Sequence, residues 1–164
     1  QSYEMSKRNS ESFIAQKFTI PYTIVRFPII LAVDDYTGRF SFIPNHIKDF
    51  IFHKDPCKKK FQVVFKQDAV NFLISILNNS VEGIFHFSCE EIISEEILWN
   101  FFLTYSNVKK KYKKVSIANS PFKFSYDLTL DCCKAYKLYK PGNTFALLEE
   151  EYNKFKNLNF KEST

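Results

Sequence analysis

Glycine is scarce, with three in 164 residues against about 7% in average proteins. Gly38, Gly83 and Gly142 lie far apart. No Gly-rich phosphate loop can be assembled from them, so a complete dinucleotide-binding fold or P-loop enzyme is excluded within this chain. Arginine is scarce too. Only Arg8, Arg26 and Arg39 occur, and the positive balance of +5 is carried by lysine. The densest run, Lys109, Lys110, Lys111, Lys113 and Lys114, reads as a solvated connection, because lysine without arginine clusters is a weak nucleic-acid footprint. No nucleic-acid partner is expected. Long apolar runs are missing. The most apolar stretch, 18–33, is broken by Pro21, Arg26 and Pro28 and falls short of the ~20 residues a membrane span needs. No membrane partner is expected, and no signal peptide precedes the stretch. The four cysteines, Cys57, Cys89, Cys132 and Cys133, show no paired spacing. Free thiols in a reducing cytoplasm are the expectation. His46, His53 and His86 have no convergent cysteine or acidic partners, so no metal site is expected. The first residue is Gln1, so the amino terminus reads as processed, trimmed or incomplete.

What is present is apolar and aromatic: 45% hydrophobic residues, with 19 Phe and 9 Tyr. That suffices for a core and fits one domain or part of one. A helix is expected over 3–17, with apolar Met5, Phe13 and Ile14. Residues 22–31, rich in β-branched and aromatic side chains, read as one buried strand. Asp34, Asp35, Thr37 and Gly38 mark a loop. A short helix is expected over 44–53, with Pro44 in its first turn. FQVVF at 61–65 reads as a strand, and Asp68 as the cap of a helix running to Leu77. GIFHFS at 83–88 reads as a strand, and Ser94 opens a helix to about Tyr105. Asp131 opens a short helix ending near Tyr139, and 145–157 form the last one. Alternating strands and helices predict an α/β layer on parallel strands. The paired acids Glu90–Glu91 and Glu95–Glu96 flank a helix start and read as helix-dipole partners. Cys132–Cys133 reads as a buried helix face.

Tyr3 and Lys7 stand four apart at the opening of the first helix, on one face. A nearby ammonium favours the phenolate, so such a tyrosine can exchange a proton with a hydroxyl or carbonyl while hydride moves to or from a nicotinamide. The same spacing recurs at Tyr105/Lys109, Tyr136/Lys140 and Tyr152/Lys156, where an exposed helix face is the plain explanation.

Context separates the first pair. In YEMSKRNSE, Ser6 precedes Lys7 and Glu11 follows four residues later. Then come Arg26-Phe27-Pro28 on an apolar strand, Asp68 before a helix, the Gly83–Phe87 strand, Ser94 before a helix, and Asp131 with Lys140-Pro141. This ordered series resembles the carboxyl-terminal half of the extended short-chain dehydrogenase/reductase family, the NAD-dependent epimerase/dehydratases. The resemblance implies an α/β fold: the carboxyl-terminal part of a Rossmann-type parallel sheet with helices, plus a small substrate-side α/β subdomain. The amino-terminal Gly-rich half would be absent. Residues 1–164 would form a single partial domain, with 1–33 and 66–90 on the Rossmann side and 34–65 and 91–164 on the substrate side.

Carried over by resemblance, Tyr3 is the catalytic acid/base. Lys7 binds the nicotinamide ribose and tunes Tyr3. Phe27, Pro28 and Ile29 lie beside the nicotinamide of NAD or NADP, and Arg39 is a substrate-side candidate. Asp68 would be structural. Ile29 stands where family members often carry Asn, and Ala32 where they often carry Gly. The implied enzyme moves hydride in a nucleotide sugar or similar small molecule as an epimerase, dehydratase or reductase. The family's 3–17 helix implies a homodimer. Without the Gly-rich turn, tight cofactor binding and activity are not expected of this chain alone. The alternative is a non-catalytic remnant serving as a binding or assembly module. The 22–31 strand would lack a neighbour, leaving an apolar edge and poor solubility.

Overall fold

The structure is a computed structural model. It describes residues 2–17, 19–107 and 111–161, without the side chains of Tyr3 and of residues 159–161. Two of the five lysines of the run, residues 109 and 110, lie outside the described residues.

Helix α1 spans Tyr3–Lys17, over the span expected for it. The single strand expected over 22–31 is instead two: β1, Thr23–Arg26, and β2, Ile29–Leu31. The physical reason is Pro28. It has no N–H for a ladder and restricts Phe27 before it. The chain therefore changes partner across this dipeptide. β1 pairs in parallel with β6, Gly83–His86, while β2 pairs in parallel with β5, Val63–Phe65. Between β5 and β6 runs helix α3, Lys66–Asn79, which carries the chain from the strand beside β2 to the strand beside β1.

The helix expected over 44–53 is α2, Arg39–Lys48, followed by strand β3, Ile51–His53. Pro44 lies inside α2 rather than in its first turn. The start is set by Gly38, which caps the helix at φ 65°, a left-handed conformation open to glycine at little cost. Phe40, Ile43 and Ile47 then fall on one buried face, and that burial offsets the hydrogen bond lost at Pro44. β3 pairs in parallel with β8, Lys113–Val115, so the end of the lysine run is a strand. The FQVVF segment divides into β4, Lys60–Phe61, and β5. β4 pairs antiparallel with β7, Ile93–Ser94. Helix α4 covers Glu95–Tyr105 with Ser94 as its cap, its hydroxyl accepting from the Ile97 N–H. Helices α5, Cys133–Tyr136, and α6, Thr144–Lys161, complete the chain.

Two apolar clusters hold these elements. Val64, Ala69, Phe72, Ile76, Phe85, Phe87 and Ala135 pack α3 and α5 against β5 and β6. A larger cluster joins Leu31, Phe40, Ile43, Phe61, Val63, Trp99, Phe102 and Leu148 across β2, α2, β4, β5, α4 and α6. Asp68, expected as a helix cap, sits within the first turn of α3 while Phe65 is the cap residue. Its buried carboxylate instead accepts from the Tyr139 hydroxyl at 2.6 Å and the Gly142 N–H at 2.9 Å. It anchors the segment leading to α6.

Candidate active-site cleft

The carboxyl ends of β1 and β2 open into a cleft of about 1040 Å³ lined by Lys7, Glu11, Arg26, Phe27, Pro28 and Arg39, among others. Ligands of open α/β sheets collect at such strand ends. Lys7 comes from α1, Phe27 and Pro28 from the break between the strands, and Arg39 from the start of α2. Tyr3 lies one helical turn before Lys7 in α1, and its side chain is outside the described residues. Ile29 is not on the cleft. In β2 the pattern is buried, exposed, buried, so Ile29 and Leu31 enter the core and Ile30 lines the cleft. Strand alternation gives the reason, since neighbouring side chains point to opposite faces.

An ion pair ties α1 to the sheet. Arg26 Nε donates to Glu11 Oε1 at 3.0 Å, and its Nη2 pairs with the second carboxylate oxygen. Arg26 Nη1 also contacts His86 Nε2 at 3.1 Å. The hydrogen bond from Arg26 holds the Glu11 carboxyl below its ordinary range and raises the guanidinium in turn. Glu11 is one turn beyond Lys7, so this clamp sets the position of the helix that carries Lys7. In the sequence Glu11 stands out only within the motif that begins at Tyr3. Nothing local marks its partner Arg26, which lies fifteen residues on and in a different element.

Across the cleft the loop after β2 is tightly turned. Asp35 accepts from the Thr37 N–H at 3.0 Å and from its hydroxyl, and the Gly38 N–H donates to the Asp35 carbonyl at 2.9 Å. Asp35, Tyr36 and Thr37 all line the cleft. Tyr36 is 99% exposed.

Solved structures share this architecture. The chain matches dTDP-4-dehydrorhamnose reductase of Yersinia enterocolitica at TM-score 0.75 and 19% identity, over 93% of this chain and 56% of that one. It matches the Bordetella bronchiseptica enzyme WbmH, solved with NAD+, at TM-score 0.74 and 12% identity, over 94% and 51%. It matches UDP-glucuronic acid 4-epimerase of Bacillus cereus, solved with UDP-glucuronic acid and NAD, at TM-score 0.71 and 18% identity, over 94% and 51%. The fold is a Rossmann-type α/β fold. The chain spans about half the length of these structures. No family model matches the sequence, and no curated protein does.

A second cavity, of about 650 Å³, is lined by His53, Cys57, Glu95 and Lys58–Lys60, among others. Glu95 lies in the first turn of α4, as expected of a helix-dipole partner, but it has a further role. It is fully buried and accepts from the Cys57 N–H at 2.7 Å, the Ser120 hydroxyl at 2.6 Å and the Trp99 indole at 3.3 Å. His53 Nδ1 is 3.3 Å from Glu95 without hydrogen-bond alignment. Glu91 likewise binds protein groups, accepting from the Thr144 N–H and hydroxyl at the start of α6. Cys132 is buried and Cys133 exposed, so the cysteine pair straddles the surface rather than sharing a buried face. Among the described residues no group of three or more His, Cys, Asp or Glu could hold a metal ion, and no helix is long and apolar enough to cross a membrane.

Proposed function

We propose that the chain is the carboxyl-terminal portion of an NAD(P)-dependent epimerase, dehydratase or reductase acting on a nucleotide sugar. One observation carries this reading: Lys7, Phe27, Pro28 and Arg39, assigned from separate parts of the sequence, line a single cleft at the strand ends. An apolar wall of Phe27, Pro28 and Ile30 facing an ammonium suits the nicotinamide-ribose end of the cofactor. When bound, that cofactor supplies hydride transfer. Lys7 would hydrogen-bond the ribose hydroxyls and, one turn from Tyr3, favour its phenolate. Tyr3 would then take or return the proton of the substrate hydroxyl as the carbon–hydrogen bond breaks or forms. Structural neighbours include a UDP-glucuronic acid 4-epimerase solved with NAD and a dTDP-4-dehydrorhamnose reductase, which supports the same class.

In the polypeptide that includes the Gly-rich half, Tyr3→Phe lowers kcat by about 10²- to 10⁴-fold, the usual share of a positioned acid/base, while assembly is retained. Turnover that survives Tyr3→Phe rejects the role given to Tyr3.

A second reading, a binding or assembly module, draws on α1. Apart from Glu11 and Ile14, its described side chains are exposed, with Met5 at 53% and Phe13 at 57%. A homodimer through this helix would cover both. Assembly that persists with no turnover in either the native or the Tyr3→Phe protein favours this reading.

A further inference from the structure

The Glu11–Arg26 clamp has a third member, and its charge can change. The parallel register sets Arg26 of β1 opposite His86 of β6, and Arg26 Nη1 lies 3.1 Å from His86 Nε2. A guanidinium only donates. Nε2 therefore accepts, and the imidazole in this arrangement is neutral. A protonated imidazole is a donor at both nitrogens. It would point a hydrogen at the hydrogens of Arg26 and set two like charges side by side.

The other groups facing this pair keep their charge. Glu11 faces it from α1, and the hydrogen bond from Arg26 holds its carboxyl below the ordinary range. Asp131, ahead of α5, lies within electrostatic reach of His86. It accepts from the Cys133 N–H at 3.0 Å, which lowers its carboxyl as well. The Cys133 thiol is raised in turn by Asp131. Lys134 of α5 donates to the Glu82 and Ile84 carbonyls. Histidine ordinarily changes charge between about pH 5 and 8. Both carboxylates stay ionised across that window, which leaves His86 as the group that switches.

What the clamp holds is α1. Of its described side chains only Glu11 and Ile14 are not exposed, and Glu11 is the one in the ion pair. Lys7 lies one turn before Glu11, and Tyr3 one turn before Lys7. A change at His86 thus reaches the cleft through Arg26 and Glu11. We infer that His86 is a positioning residue for the chemistry of this cleft, an inference that rests on the function proposed above. Neutral, it completes the clamp that seats α1. Protonated, it leaves Arg26, turns toward Asp131 and loosens the helix that carries Tyr3 and Lys7.

Hydrogen exchange of the α1 amides in the native polypeptide tests this, followed from about pH 8 to about pH 6 and corrected for the intrinsic pH dependence of exchange. Protection of α1 falls by about 3- to 10-fold on acidification, the worth of one net hydrogen bond, while that of α3 stays level. His86→Gln keeps an acceptor and cannot take the charge, so its α1 stays protected throughout. His86→Lys carries the charge throughout, so its α1 exchanges at the faster rate at both ends. Thermal midpoints at the alkaline end check that the variants fold, and His86→Asn replaces His86→Gln if the latter does not. Native protection that stays level, or an equal fall in native and His86→Gln protein, overturns the inference. The kcat profile should follow, with a steeper acid limb in the native enzyme than in His86→Gln. Protection is read without turnover, so failure of the proton-transfer role given to Tyr3 and failure of the His86 role are told apart.

Discussion

At the scale of single residues, packing and hydrogen bonding decide which side chains matter. Phe72 is fully buried and stacks on Phe87 with centroids 4.2 Å apart and planes 10° apart. Phe72→Ala removes this contact and leaves a void, so it should cost about 3–5 kcal/mol in urea unfolding. A cost near zero would mean that the α3–β6 layer is not packed as described. Gly83 is a backbone requirement: its φ is 101°, and an added Cβ would meet the Lys134 ammonium at 3.2 Å. Cys89 shows the same logic in chemistry, since burial pushes its thiol up to about 12 and leaves it inert. Ile29 illustrates what sequence cannot phase. The strand pattern identifies the Ile29–Leu31 segment as apolar, but the face each side chain takes depends on where Pro28 restarts the strand.

At the scale of elements, side chains remote in sequence hold the ends. Ser94 as a helix cap was legible, because a serine before acidic residues and an apolar run is a local signal. Glu91 was not, because its partner Thr144 is fifty-three residues away. Burial pushes the Glu91 carboxyl up, but the Thr144 hydroxyl and N–H bonds outweigh it, and the net position is lowered. A carboxyl lowered on folding contributes stability above its unfolded value and loses it as pH falls through the folded value. Stability should therefore drop on acidification below the ordinary glutamate range, and Glu91→Gln should flatten that part of the unfolding-midpoint profile. An acid limb of unchanged steepness would assign it to other carboxylates, among them Glu11, Asp34 and Asp131, which are lowered as well.

At the scale of the whole molecule, one side is left apolar. Among the described residues β1 has one partner strand, β6, and its other edge is open. Val70, Leu73, Ile74 and Leu77 form a stripe on α3 with 43%, 40%, 48% and 76% exposure, at the spacing of a buried helix face. A cavity of about 690 Å³ lined by Pro21, Tyr22, Val25, Leu73 and Leu77 adjoins it. Exposed edges and apolar stripes drive association, so the 164-residue chain should self-associate in light scattering as its concentration rises. Leu73→Lys with Leu77→Lys should reduce that association without lowering the unfolding midpoint. A monodisperse monomer with a cooperative thermal transition would contradict the expectation.

By itself the sequence determined the alternation of strands and helices, the α1 span, the Ser94 cap and the residue types able to do proton and hydride chemistry. These depend on neighbours within a few positions, where spacing and backbone preference carry the signal. Only the tertiary structure decided that Pro28 divides one apolar run between two partner strands. It alone turned Ile30 rather than Ile29 to the cleft, and buried the helix-start acid Glu95 as a bracket between distant segments. It also brought Lys7 and Arg39, thirty-two positions apart, into one cleft. Each of these rests on a strand pairing or a packed face between distant segments, and neither leaves a mark in local spacing.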